Sequence, residues 1–212
     1  MENLSRDLKF MYKTIKNLEK LNINDINLEK TVLFIVDINV GFAKNGLLYS
    51  ERIEKLINPI KKLGDYISEK NGTVIAFTDC HTKDSIELKT YSVHCLEEDN
   101  ESDVVEEIKT IKNIKVIPKN STNGFFCIEN EVDFNDFENV IVVGACTDIC
   151  VYQFVITLKS YLNQNNIYKR IIVPIDLVDT YDISYKHNAN LMNIVFFYSM
   201  MENGVEVIKN VK

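Results

Sequence analysis

Cys150 follows the run Val140-Ile141-Val142-Val143-Gly144-Ala145 and opens a segment, Val151 to Leu158, that reads as a helix. A buried strand, a tight turn and a helix start place this thiol at the carboxyl edge of a parallel sheet. Exposed N–H groups at a helix start lower a thiol's pKa and can hold a developing oxyanion. Two more reactive side chains close apolar runs: Asp37 after Thr31–Val36, and Lys119 after Lys115-Val116-Ile117-Pro118. An acid, an amine and a thiol suffice for acyl transfer. Lys119 would favour the thiolate, and Asp37 would accept the thiol proton and return it to a leaving amine. Taken singly each has a bland reading: cysteines at such junctions pack, aspartates cap helices or turns, and lysines after proline are solvated. Their coincidence at three strand ends carries the argument.

A second group falls on the loop after the next strand, in Asp79-Cys80-His81 and His94-Cys95. Residues two apart on extended backbone face the same way, so Asp79 and His81 can grip one ion, with His94 returning as a third ligand. One carboxylate and two imidazoles leave positions open for water or substrate, and suit zinc, iron or manganese. A loop with two histidines is also commonly structural. Cys80 and Cys95 are read as packing.

The elements that must hold these groups alternate. Apolar spacing predicts a helix over residues 4–21, then strands at 31–36, 73–78, 115–117, 140–143, 170–174 and 205–208. Helices are expected over 51–70, 103–111, from Cys150 to about Gln164, and 184–203, the last carrying His187. The pattern is α/β: a single-domain doubly wound, mostly parallel six-stranded sheet flanked by helices. Residues 1–30 form an N-terminal helical extension and 31–212 the domain.

The net charge of −7 argues against a nucleic-acid partner, no apolar run near twenty residues offers a membrane span, and no secretory signal opens the chain. Five irregularly spaced cysteines are read as reduced thiols, so the expected location is cytoplasmic.

Five pieces together resemble the isochorismatase-like cysteine hydrolase superfamily, and within it the nicotinamidases. They are Val36-Asp37-Ile38-Asn39-Val40-Gly41-Phe42, Thr78-Asp79-Cys80-His81, His94-Cys95, Ile117-Pro118-Lys119 and Gly144 through Val151. The resemblance spans roughly residues 30–208. It implies an Asp37–Lys119–Cys150 catalytic triad, a cis peptide before Cys146, and an oxyanion hole from the backbone N–H groups of Cys146 and Cys150. It further implies a divalent metal, zinc foremost, on Asp79, His81 and His94, anchoring a pyridine nitrogen. Phe42 matches an aromatic lining the ring pocket, and Asn39 stands there where Gln is usual; both are expected at the substrate. The implied reaction is hydrolysis of a small carboxamide, nicotinamide to nicotinate and ammonia in NAD metabolism, by a protein that is often a homo-oligomer.

The sequence departs from that pattern where Cys80-His81-Thr82 replaces Trp-His-Pro, and where Glu97-Glu98-Asp99-Asn100-Glu101 replaces a Gly-Thr-x-Gly turn; it contains no Trp. Another amide, a carbamoyl group or a vinyl ether is the enzymatic alternative. A non-catalytic α/β binding module is the alternative of another class, disfavoured by the lack of a Gly-x-Gly-x-x-Gly or phosphate loop.

Overall fold

The computed structural model describes residues 2–212; Met1, part of the expected extension, lies outside the described residues. Helix α1 (Glu2–Lys16) leads into strand β1 (Thr31–Val36), whose six residues are all buried. Three short helical pieces follow: α2 (Val40–Ala43), α3 (Glu51–Glu54) and α4 (Ile57–Glu69). Then come β2 (Thr73–Asp79), α5 (Glu106–Lys109), β3 (Lys115–Lys119) and β4 (Asn139–Ala145). A π-helical turn, Thr147–Val151, feeds α6 (Tyr152–Gln164). The chain ends with β5 (Arg170–Pro174), the two-residue β6 (Val178–Asp179), α7 (Ala189–Glu202) and β7 (Glu206–Ile208).

The sheet runs β3-β2-β1-β4-β5-β7, with β6 paired to the end of β4, and every pairing is parallel. It therefore has seven strands rather than the expected six. The extra one is too short to show a pattern in sequence; it exists because Gly144 and Ala145 continue β4 beyond β5 and pair with Val178 and Asp179.

Side chains alternate across β1, so the sheet is buried on both faces. Val32, Phe34 and Val36 pack with Phe154, Leu158, Phe197 and Met200 from α6 and α7, and Ile15 of α1 joins them. Leu33 and Ile35 pack on the opposite face with Ile57, Ile60 and Ile67 of α4 and Ile108 of α5. The helix expected over 51–70 is interrupted between α3 and α4. No helix among the described residues is long and apolar enough to cross a membrane.

Gly144 shows how tightly the central strands meet. Its φ of +113° lies in the left-handed half of the map, and a Cβ there would collide with the carbonyl oxygen of Val36 on β1. Both problems concern backbone and cannot be relieved by a rotamer change. Gly144→Ala is expected to cost about 3–5 kcal/mol of folding free energy, read from the midpoint of urea unfolding.

Candidate active site

Strand register assembles the reactive groups. Asp79 and Lys119 are register partners at the ends of β2 and β3, and Val36, at the end of β1, pairs with Phe77. Asp37 then leaves β1 with φ at 52°, its N–H donating to the Phe77 carbonyl at 3.2 Å. Cys150 arrives from the opposite side, in the π-helical turn after β4. Lys119 Nζ lies 2.9 Å from Asp37 Oδ2, donates to Asp79 Oδ1, and approaches Cys150 Sγ at 3.9 Å. All four residues are buried.

The other oxygen of Asp79 faces the histidines. Oδ2 lies 3.5 Å from His81 Nε2 and 3.3 Å from His94 Nε2. The remaining ring nitrogens are engaged: His81 Nδ1 meets Asn120 Oδ1 at 3.2 Å, and His94 Nδ1 meets the Ser92 carbonyl at 2.6 Å. Thus both Nε2 atoms converge with a carboxylate oxygen, the ligand atoms all lying within 4.8 Å of one another. His81 Nε2 is buried and has no hydrogen-bond partner among the described residues, as expected of an atom free to take an ion. Two imidazoles oriented by outer oxygens and one carboxylate fit a divalent metal of the zinc, iron or manganese kind. Cys80 and Cys95 stay out of this group. The Cys95 thiol turns to the Glu101 carbonyl at 3.4 Å, and all five cysteines are free.

These groups open on a cavity of about 610 Å³. Asp37, Asp79, His94, Cys146 and Cys150 lie along its floor and sides, with Phe42, Tyr91 and Tyr181 as aromatic walls. The Ala145–Cys146 peptide is cis, as the resemblance implies. Residues 31–208 match the family model described as Isochorismatase domain. The chain belongs to the isochorismatase family.

Among relatives, the chain is 27% identical over 209 residues to Nicotinamidase 1 of Arabidopsis thaliana, covering 84% of this chain and 85% of that one. The fold resembles N-carbamoylsarcosine amidase from Thermoplasma acidophilum, with a TM-score of 0.68 at 24% identity over 85% of this chain and 96% of the other. It also resembles a Bacillus subtilis nicotinamidase, with a TM-score of 0.69 at 19% identity over 84% and 99%. Isochorismatase-family members are hydrolases, and this chain is an enzyme of that class.

Electrostatics decide the resting protonation of this isochorismatase-family site. Burial raises the Asp37 carboxyl, against the pull of Lys119 and with the repulsion of Asp79, to about 7. Burial also works to raise Asp79, but the charge of Lys119 and the close approach of His81, His94 and Lys119 outweigh it and hold this carboxyl far below its usual range. Lys119 is held charged: burial opposes the ammonium, and Asp37, Cys150 and Asp79 more than compensate. Cys150 is pushed well above the ordinary thiol value, first by burial and then by the two carboxylates, with Lys119 opposing. Lys119 thus acts in the expected direction, toward the thiolate, and burial with the two carboxylates acts against it.

Asn39 also needs correcting. It is fully buried, donates from Nδ2 to the Asp79 carbonyl at 3.2 Å, and accepts from Thr78 Oγ1 at 3.0 Å. Its amide is spent on fixing the end of β2, off the cavity wall. Phe42 does line the cavity, its ring 5.6 Å from that of His94. In the acidic stretch 97–101, residues Glu97 to Asn100 are exposed, while Glu101 folds inward to accept from the Cys95 N–H at 3.2 Å. His187 lies just before α7, not on it, with Asn188 as the cap. Tyr91, Tyr181 and Asn120 escaped the sequence reading because nothing in their local pattern announces a long-range partner.

Lys119→Met keeps the side chain's bulk and leaves two buried carboxylates without their cation. In chelator-treated protein the expected loss is about 3–5 kcal/mol near pH 7. A carboxyl whose folded pKa exceeds its unfolded one binds more protons when folded, so the mutant's deficit should shrink as pH falls from 8 to 5. Urea unfolding across that range checks both magnitude and sign.

Proposed function

We propose that the protein is a cysteine amidohydrolase of the nicotinamidase type, converting nicotinamide to nicotinate and ammonia. The observation that carries this reading is the sharing of Asp79 between Lys119 and the two histidines, which joins a nucleophile site to a metal site across one carboxylate. The 27% identity to a plant nicotinamidase supports the choice of amide.

In this reading Asp37 takes the Cys150 proton as sulfur attacks the carboxamide carbon. The backbone N–H groups of Cys146 and Cys150 receive the developing oxyanion. Asp37 then protonates departing ammonia, leaving a Cys150 thioester, and afterwards removes a proton from the water that hydrolyses it. Lys119 stays charged throughout and keeps Asp37 and Cys150 in register. Phe42, Tyr91 and Tyr181 exclude water around a flat ring. A divalent cation, zinc by preference, held by Asp79, His81 and His94, supplies a Lewis-acidic anchor for a ring nitrogen. Residues 2–30 precede the stretch matched by the family model but pack onto it through Ile15, Ile23 and Ile26, and the free thiols suit a reducing cytoplasm.

A second reading, another carboxamide or a carbamoyl substrate, draws on the cavity's volume and on the exchange of Trp for Cys80. Ammonia release by the metal-loaded protein distinguishes them. Nicotinamide turnover should vanish in Cys150→Ala, and His81→Ala should lose about 10²-fold or more in kcat/KM. A wild type that releases no ammonia from nicotinamide would exclude the first reading.

The pH profile offers an independent check. Asp37 must be ionised to act as base, so kcat/KM should rise about tenfold per unit below its pKa and level off above it. With the carboxyl at about 7, the acid limb lies near neutrality. Because Asp79's charge helps raise Asp37, metal loading should move that limb down; an upward movement would contradict the assignment.

A further inference from the structure

One ionisable pair beside the nucleophile has no part in the mechanism above. His187 Nε2 lies 2.7 Å from Asp148 Oδ2, in the same π-helical turn as Cys150. His187 Nδ1 meets the Tyr181 carbonyl oxygen at 2.9 Å, so both ring nitrogens face oxygen acceptors. The imidazole also stacks on the Tyr181 ring, with centroids 3.9 Å apart and planes 16° from parallel. The other Asp148 oxygen is buried and has no partner among the described residues, which leaves His187 as the group compensating that carboxylate.

The two things this imidazole touches border the same cavity. Tyr181, Asp182 and Ile183 line it, and so do Cys146, Ile149 and Cys150 at the turn that carries Asp148. The strap bearing Tyr181 is pinned upstream by Arg52, whose Nη2 donates to Asp179 Oδ1 at 2.7 Å. Downstream, paired backbone bonds of 2.8 Å between Ile183 and His187 close it into a loop just before α7. His187 therefore stands where a rigid helix begins, reaching one way to the turn that carries the sulfur and the other way to the ring that borders the substrate.

We propose that His187 is a positioning residue that locks the nucleophile turn, through Asp148, to the substrate wall formed by Tyr181. The inference rests on the hydrolase reading of Cys150 but not on nicotinamide being the substrate. The two links make separable contributions. The bond to Asp148 fixes the turn and so acts on attack by sulfur. The stack on Tyr181 fixes the wall and so acts on substrate binding.

The test uses metal-loaded, full-length protein and two variants, His187→Ala and His187→Gln, with three readouts: kcat, KM for nicotinamide, and the rate of Cys150 alkylation by iodoacetamide. His187→Ala removes both links. Its kcat should fall about tenfold or more, its KM should rise about three- to tenfold, and alkylation should slow in step with kcat. In His187→Gln the amide can still donate to Asp148 but cannot stack. Here kcat and alkylation should return to within about threefold of wild type while KM stays raised.

A purely structural His187 would lower the melting temperature and leave all three readouts unchanged well below it, which would overturn the proposal. So would a fall in kcat with unaltered alkylation, or a glutamine variant that restores neither kcat nor alkylation. If His187→Ala does not fold, the glutamine variant alone decides by the same criteria. Absence of nicotinamide turnover in wild type, with Cys150 still reactive, sinks the substrate assignment only. Alkylation across the two variants then still upholds or overturns the turn linkage.

Discussion

A fully buried ammonium organises this molecule's chemistry. Lys119 is the end of β3, and its charge has no access to water. Such a cation is tolerable only with anions against it, and two carboxylates supply them, Asp37 and Asp79, with the Cys150 sulfur alongside. The arrangement is asymmetric. Asp79 faces both histidines as well as Lys119, and its carboxyl is held far below the usual range; Asp37 leans on Lys119 with fewer partners and is raised to about 7. Two carboxylates around one ammonium are thereby given different environments, which in the proposed reading suits one to be fixed charge and metal ligand and the other to be proton carrier. A site with only one of them could not both neutralise Lys119 and exchange a proton near neutral pH.

The same constraint reaches the backbone. Lys119, Asp79 and Asp37 meet because three adjacent parallel strands end in register, and a one-residue slip in any of them would turn its charged terminus to the other face of the sheet. The apolar alternation of Val32 through Val36 resists such slips, since it fills both cores at once. Gly144 lets β4 approach β1 closely and then bend away into the turn that holds Cys150. Packing of the sheet and placement of the proton carrier are thus one problem solved by one set of residues.

That identity explains what could be read in the sequence. The strands around the site were legible because a parallel strand buried on both faces is a run of apolar residues, and a charged residue closing it stands out: Asp37, Asp79 and Lys119 all do. The shared orientation of Asp79 and His81 followed from period-two geometry on an extended segment, and His94 was legible only as a second histidine in the same loop. What stayed hidden depends on partners far along the chain. The two-residue β6 exists only because β4 overruns β5. Asn39 looks identical in sequence whether it faces substrate or, as here, holds Thr78 and the Asp79 carbonyl. The proton affinity of the Cys150 thiol is a balance between one cation and burial plus two carboxylates, and sequence lists those charges without weighing their desolvation. His187 was placed on a helix that begins two residues later, at Ala189, because Asn188 caps it.

The walls of the cavity obey a looser rule than its floor. Phe42 comes from the short helix after β1, Tyr91 from the loop between the two metal-site histidines, and Tyr181 from the strap after β6. Tyr91 and Tyr181 belong to neither core cluster and Phe42 only packs against the margin of one, so exchanging a wall residue disturbs the sheet far less than exchanging a strand end would. Cys80, off the cavity lining, is tied by its backbone N–H to the Lys119 carbonyl at 2.9 Å, so the strand end is held by backbone rather than by that side chain. Glu101 accepts from the Cys95 N–H beside His94 without adding a charge to the cavity wall. The reactive groups are therefore fixed by strand ends in register, whereas the substrate wall is set by a short helix, a loop and a strap, and in the proposed reading their three aromatic rings favour a flat substrate.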